Sequence, residues 1–284
     1  KNAASIIKYY SYDEDENIRE IAAESAGKIK NPKEAAILIE ELLENPDPAV
    51  KRAAAKGAGN IKNPKLRDNL IVKLGNSPDD CVREEAAALA GSLRAPSKSV
   101  ALIEQLVYDP NFIVREKAAE STGQIKDHKL RDNLIKKLIL HHDPIVRKGT
   151  AIAALNMHDS QERINVFKKL VRDNNHFVSK TAASSAGKID DSKQAILLIR
   201  SLIKNPKEYV KTLAAESAGN IKNPKLRDNF IEELSNSFDF NVRKGAAKAA
   251  AEMFDQKRAE NIIRKLTKDE DPEVRESVAE SLCL

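Results

Sequence analysis

Five histidines, His128, His141, His142, His158 and His176, and two cysteines, Cys81 and Cys283, are the residues of this 284-residue chain best suited to hold a metal or act as nucleophiles. Their spacing supports neither role. There is no H-x-x-x-H and no C-x-x-C, the spacings that would bring two zinc ligands together. His141 and His142 stand side by side in a loop ahead of an Asp-Pro pair, where a solvated loop is the simpler reading. A Gly-rich phosphate loop ending in Gly-Lys-Ser/Thr is absent, as is the G-x-S-x-G turn that presents a catalytic serine. Asp79-Asp80 and Glu84-Glu85 are paired acids, but they fall at a helix start, where negative charge complements the helix dipole. The expectation is a protein that is not an enzyme and carries no cofactor and no metal.

The elements that would position such residues are helices. Charged residues make up 32% of the chain and aromatics 4%, with 10 Gly and 11 Pro. Ala, Leu, Ile, Lys and Glu dominate, a composition that favours helix over strands joined by turns. A net charge of +5 permits an anionic partner without demanding one. No apolar run approaches the length of a membrane span, so no membrane role is expected. Two distant cysteines are not a disulfide framework and fit a reducing, cytoplasmic setting.

The helices repeat. Ile18, Val50, Val82, Val114, Val146, Val178, Val210, Val242 and Val274 are each 32 residues apart. With this residue as position zero, position +5 is Ala in every copy from Ala23 to Ala279, and position +4 is Ala except at Thr150 and Val278. Position +9 is often Gly, as at Gly27, Gly59 and Gly219. Position +11 is apolar from Ile29 to Met253. Positions 0, +4, +8 and +11 share one face of a helix, kept thin by alanine so that neighbours approach closely. Positions +20, +21 and +24 form a second apolar stripe, with +24 always Leu, from Leu42 to Leu266.

Caps mark both helices. Position −3 is Asp or Asn in every copy but the one with Lys207, and its side chain can accept from the free amides of the first turn. Pro48, Pro144 and Pro272 follow, where proline is tolerated. Position +13 is Asn or Asp in all but one copy, with Pro32, Pro64 and Pro224 next. Each copy is therefore a helix, a short turn and a second helix, and neither helix can bury its stripe without a stacked neighbour. The prediction is an all-α solenoid of eight full pairs with one flanking helix at each end, a single domain over residues 1–284. Ile6, Ile7 and Tyr10 match the second stripe of a copy that lacks its first helix, so the chain is expected to be a segment of a longer protein.

Asp47-Pro48-Ala49-Val50-Lys51 through Gly59, and Asp271-Pro272-Glu273-Val274-Arg275, resemble the HEAT-like repeats named after phycobilisome lyases. The resemblance covers essentially the whole chain. It implies a right-handed α-solenoid used as a binding scaffold, with the Ala-Ala helix lining the concave face. Positions −2, −1, +2, +3 and +6 would then be displayed there. The ligand varies within such families, so the fold does not name it. A bilin-lyase role would follow from the resemblance alone, with Cys81 its one concave thiol. No His-Glu pair occurs, unlike the iron-binding repeats of deoxyhypusine hydroxylase.

The stretch AGNIKNPKLRDN occurs unchanged at residues 58–69 and 218–229. It runs from the end of one helix through the turn into the next. Copied scaffold explains the identity better than selection for chemistry, with Arg67 and Asp68 expected to pair or face water. The competing reading is an arginine row, Arg67, Arg131, Arg163 and Arg227, that touches a partner.

Three charge patterns remain. Arg or Lys at +1, as at Arg19, Lys51 and Arg83, suggests an Asp-to-Arg ladder between neighbouring copies, each pair contributing ~0–1 kcal/mol. Lysines along the turns, among them Lys30, Lys62, Lys126, Lys222, Lys33, Lys65, Lys129 and Lys225, give one edge a positive rim. At +2, +3 and +6 acids such as Glu20, Glu24 and Glu116 alternate with bases such as Lys148, Lys180, Lys244 and Lys248. A phosphate-tracking groove is consistently basic, so the alternation favours a protein partner. Four successive copies place Ile113, Ile145, Phe177 and Tyr209 at −1, with Phe112 and Phe240 at −2, an apolar stripe of the kind that marks interfaces.

The sequence thus predicts a non-catalytic scaffold that binds another protein, or another domain of its parent chain. Phe112, Ile113, Ile145, Lys148, Phe177, Lys180, Tyr209, Phe240, Lys244 and Lys248 are the expected contact residues. Nucleic acid held by the lysine rim is the alternative partner, and an accessory or lyase-type segment of an enzyme is the third reading.

Overall fold

The computed structural model describes residues 3–282 and contains, among them, eighteen α-helices and no strand. Cys283 lies outside the described residues. Contacts divide the chain into two units, Lys1–Leu138 and Ile139–Leu284.

The first unit opens with α1 (Ala3–Tyr10). Four pairs follow: α2 (Glu16–Ser25) with α3 (Pro32–Leu42), α4 (Pro48–Gly57) with α5 (Pro64–Leu74), α6 (Asp80–Leu89) with α7 (Pro96–Leu106), and α8 (Phe112–Ser121) with α9 (His128–Leu138). The second unit contains α10 (Pro144–Ala153) with α11 (Ser160–Leu170), α12 (His176–Ser185) with α13 (Ser192–Leu202), α14 (Glu208–Glu216) with α15 (Pro224–Ser235), and α16 (Phe240–Ala250) with α17 (Gln256–Leu266). It ends on α18 (Pro272–Leu282). Eight pairs and two flanking helices match the 32-residue period.

The core is the set of repeated apolar positions. Val50, Val82, Val114, Val146, Val178 and Val210 are fully buried, and every Leu at +24 is buried. Each such side chain contributes roughly 1.5–3 kcal/mol by leaving water. Ile18 is the exception among the position-zero residues, at 40% exposed. Within each unit, first helices of adjacent pairs contact each other more closely than second helices do, because the facing residues are alanines. The tightest approaches fall at Gly27, Gly91 and Gly187, where a methyl group would overlap the carbonyl oxygens of Gly57, Ser121 and Ser217.

The first helix of a copy stops earlier than a continuous stripe to +11 implies. In the first seven copies its last turn tightens into a 3-10 segment, such as Ala26–Lys28 and Ala58–Asn60. Position +11 then lies in extended backbone, as at Ile61 (φ −62, ψ 123), and is still buried. The tighter turn lets Ile61 N–H bond to the Ala58 carbonyl, satisfying a helix-end acceptor before the chain reverses.

Candidate functional site

The junctions between copies are built from one arginine and one short side chain. At position −5 stand residues of different type, Asp13, Asn45, Ser77, Asp109, His141, Asp173, Asn205, Ser237 and Asp269. In all nine copies this side chain accepts the backbone N–H of position −3. The −3 side chain in turn accepts from the first helical turn, for example Asp47 from Ala49 at 2.9 Å and Asn111 from Ile113 at 2.8 Å. Asp79 makes no such bond, and neither does Lys207.

The arginine at +1 closes this loop. Its Nη1 donates to the carbonyls at −5 and −4 of its own copy, as Arg83 does to Ser77 and Pro78, both at 2.9 Å. Its Nε donates to a carboxylate of the next copy. The expected ladder is present at six junctions, with two kinds of partner. Arg19, Lys51 and Lys211 reach the capping aspartates Asp47, Asp79 and Asp239. Arg83, Arg147 and Arg243 instead reach Asp109, Asp173 and Asp269 at −5. Burial pushes the Asp173 carboxyl up, but Arg147 and the amide of Asn175 outweigh it and hold the group below the usual range.

The repeated Arg-Asp motif of the second helices also turns inward. Asp68 and Asp228 are buried rather than facing water, each bonded to the adjacent arginine. Asp68 accepts the backbone N–H of Arg94, and Asp228 those of Phe254 and Asp255, so each carboxylate fastens the turn of the following copy. Arg131 and Arg163 are buried, and Arg163 donates to the Met157 carbonyl and to Gln194. An arginine row open to a partner is therefore not what these residues form.

Several of the alternating charges on the first helices satisfy one another. Lys56 pairs with Glu24, Arg52 with Glu84, Lys244 with Glu273 and Lys248 with Glu280. At these four pairs the charge alternation reflects pairing within the chain.

The apolar candidates fall in separate places. On α8, Phe112 and Ile113 are exposed. On α12, Phe177 is 68% exposed, one helical turn from the exposed Lys180, which makes no ion pair among the described residues. Ile145 and Lys148 on α10, Tyr209 on α14, and Phe240, Lys244 and Lys248 on α16 are half-buried. Tyr209 is fixed on three sides. Its hydroxyl shares a 2.7 Å hydrogen bond with Ser179, its ring lies 4.7 Å from that of His176, and Lys207 Nζ sits 5.9 Å from its centroid.

Cys81, the thiol that a lyase reading requires, is buried, and burial pushes its pKa up, opposite to what a nucleophile needs. His141 is half-buried and accepts the N–H of Asp143 through Nδ1. Among the described residues no three His, Cys, Asp or Glu side chains converge in a way that could hold a metal, and no helix is long and apolar enough to cross a membrane.

A search of curated proteins found no match to this chain. Among solved structures, the chain is similar to YIBA of Escherichia coli (18% identity, TM-score 0.51, covering 93% of this chain and 92% of that one). It is also similar to a chain in a homology model of the full-length AP-3 complex in an intermediate open conformation (15% identity, TM-score 0.51, 95% of this chain and 54% of that one). Human deoxyhypusine hydroxylase in complex with glycerol matches more loosely (14% identity, TM-score 0.39, 91% and 96%). At these identities the likeness concerns the fold alone. The profile of HEAT repeats matches residues 35–123, 99–186, 132–219 and 227–283. With its stacked pairs of 32 residues and this match over most of its length, the chain belongs to the HEAT repeat family.

Proposed function

We propose that the chain is a non-catalytic cytoplasmic scaffold that binds a protein partner, or a domain of its own parent chain, on its first helices. The observation that carries this reading is the exposure of Phe177 beside Lys180 on α12, flanked in the second unit by Ile145 on α10 and Tyr209 on α14. An aromatic side chain left in water forgoes stabilisation that a partner's apolar residue would recover, and the neighbouring ammonium favours a partner segment carrying carboxylates. Phe112 and Ile113 on α8 offer the same kind of contact in the first unit. The charged pairs at Lys244 and Lys248 serve the fold first and would contact a partner only at their margins.

The test is affinity capture by the full chain, with wild type and variants compared by quantitative mass spectrometry. Phe177→Ser, or Lys180→Glu, should deplete the same specific proteins while leaving the thermal melt unchanged. Leu197→Ser, on the exposed side of α13, should deplete none. Equal recovery by wild type and the α12 variants would exclude this face. Tyr209→Phe separates contact from support, since it removes only the hydroxyl bonded to Ser179.

A further inference from the structure

We propose that one edge of the first unit binds the phosphate backbone of a double-stranded nucleic acid. The edge is formed by the four connections from first to second helix and the opening turns of α3, α5, α7 and α9. Each connection exposes two basic side chains. They are Lys30 with Lys33, Lys62 with Lys65, Arg94 with Lys98, and Lys126 with Lys129. None of these eight makes an ion pair among the described residues. Elsewhere in the same unit lysines are consumed: Lys56 by Glu24, Lys73 by Glu40 and Lys137 by Glu104, at 2.6–2.9 Å. The positive charge on the edge is therefore selectively left open. The starts of four second helices add the positive ends of their dipoles to it.

The corresponding edge of the second unit is different. Asp159, Asp190, Asp191 and Asp255 stand among its basic residues, and Asp190 takes up Lys222 at 2.6 Å. The first unit's edge carries two acids, Glu34 in the first turn of α3 and the capping Asp127, against its eight basic side chains.

The pattern specifies the ligand class. Packed helices lie ~8–10 Å apart, so successive basic pairs would meet about every third phosphate of a strand that rises ~3.4 Å per residue. The sign is nearly uniform along four connections, where a folded protein partner would present mixed charge. The residues of this edge include no Phe, Tyr or Trp to stack on bases. Single strands are held largely by such stacking, so the fit is to a duplex gripped by its backbone, without base readout. This proposal does not depend on Phe177 or the first-helix face.

Fluorescence anisotropy of a labelled DNA duplex, titrated with the full chain over a range of KCl concentrations, tests it. If all eight side chains neutralise phosphates, log K should fall against log salt with a slope of about −7. The Lys62→Glu, Lys65→Glu variant should weaken binding at low salt by ~100-fold and flatten the slope by about 2. Charge reversal at Lys193 and Lys257, in the second unit, should change affinity by less than about 2-fold. All these side chains are exposed, and circular dichroism of each variant checks that folding is intact. Three outcomes would overturn the proposal: no duplex binding at low salt, equal weakening by both variants, or tighter binding of polyglutamate, single-stranded DNA or anionic vesicles than of the duplex.

Discussion

Arg243 Nε and Nη2 each donate to one oxygen of Asp269 at 2.8 Å, while its Nη1 donates to the carbonyls of Ser237 and Phe238 at 3.0 Å. One guanidinium thus ties the loop that enters α16 to the loop that enters α18. Both side chains are under 10% exposed. Removing one member of a buried pair leaves the other uncompensated, which costs roughly 3–5 kcal/mol. Arg243→Ala should lower the urea midpoint accordingly. Arg243→Lys should cost less, because Lys51 and Lys211 fill the same position and keep the ion pair without the forked bonds to the carbonyls.

The same pair sets a dependence on pH. Arg243 holds the Asp269 carboxyl below the usual carboxylate range, and the amide of Ala49 does the same for Asp47. The unfolded chain therefore takes up protons first as pH falls. The stabilisation is complete above the unfolded value of about 4 and is lost as pH drops through the lower folded values. Urea midpoints measured across this window should fall steeply for wild type. They should fall less steeply for Arg243→Ala, whose Asp269 has lost the partner that lowered its pKa.

His141 should add a second, milder acid transition. Burial first, and then the charge of His142, push its pKa down, and protonation of Nδ1 would break the bond from the Asp143 amide. A depressed folded value means the unfolded chain binds the proton more readily. The penalty therefore begins as pH falls below about 6.5. His141→Asn supplies an acceptor of the kind present at Asn45 and Asn205, and should remove this step from the stability–pH curve while leaving stability near pH 8 within about 0.5 kcal/mol.

Gly187→Ala should destabilise by about 1–3 kcal/mol, since the added methyl meets a backbone carbonyl that the next helix cannot move alone. Gly59→Ala should cost less. There the methyl meets only the Leu89 side chain, which can rotate. Differential scanning calorimetry of the two variants checks the order.

Thr122 occupies a fully buried position that is alanine at Ala58 and Ala90, and its hydroxyl has no hydrogen-bond partner among the described residues. Thr122→Ala should therefore stabilise the chain, by about 1 kcal/mol, as the lost methyl group offsets part of the relieved desolvation. A lower melting temperature would show that the hydroxyl is satisfied in solution.

Much of this architecture was legible because the same side chain does the same work at a fixed spacing. The valines at position zero, the leucines at +24 and the capping Asp or Asn residues all read directly as paired helices. The acceptor at −5 was not legible. Asp109, Ser237 and His141 share an accepting atom but no residue type, so no row of identity reveals them. Asp68 pairs with Arg67 as expected, but its burial was not legible, because its bond to the Arg94 amide joins residues 26 positions apart. The pairing of charges at +2 and +6 was not legible for a related reason. Lys56 and Glu24 are 32 residues apart, and alternation along the sequence does not distinguish pairing within the chain from pairing with a partner. For the contact face, Phe177 and Tyr209 occupied equivalent positions in the repeat, yet one is exposed and the other is held by Ser179 and His176.

At six junctions a basic side chain at +1 reaches the carboxylate of the copy ahead, so each of these joints is complete between immediate neighbours. Crossing-over between the identical stretches at 58–69 and 218–229 would excise whole modules, and the severed ends would meet in register with Lys51 facing Asp239, the aspartate that Lys211 holds. Such a gene can lengthen or shorten its product in fixed steps without inventing a new joint.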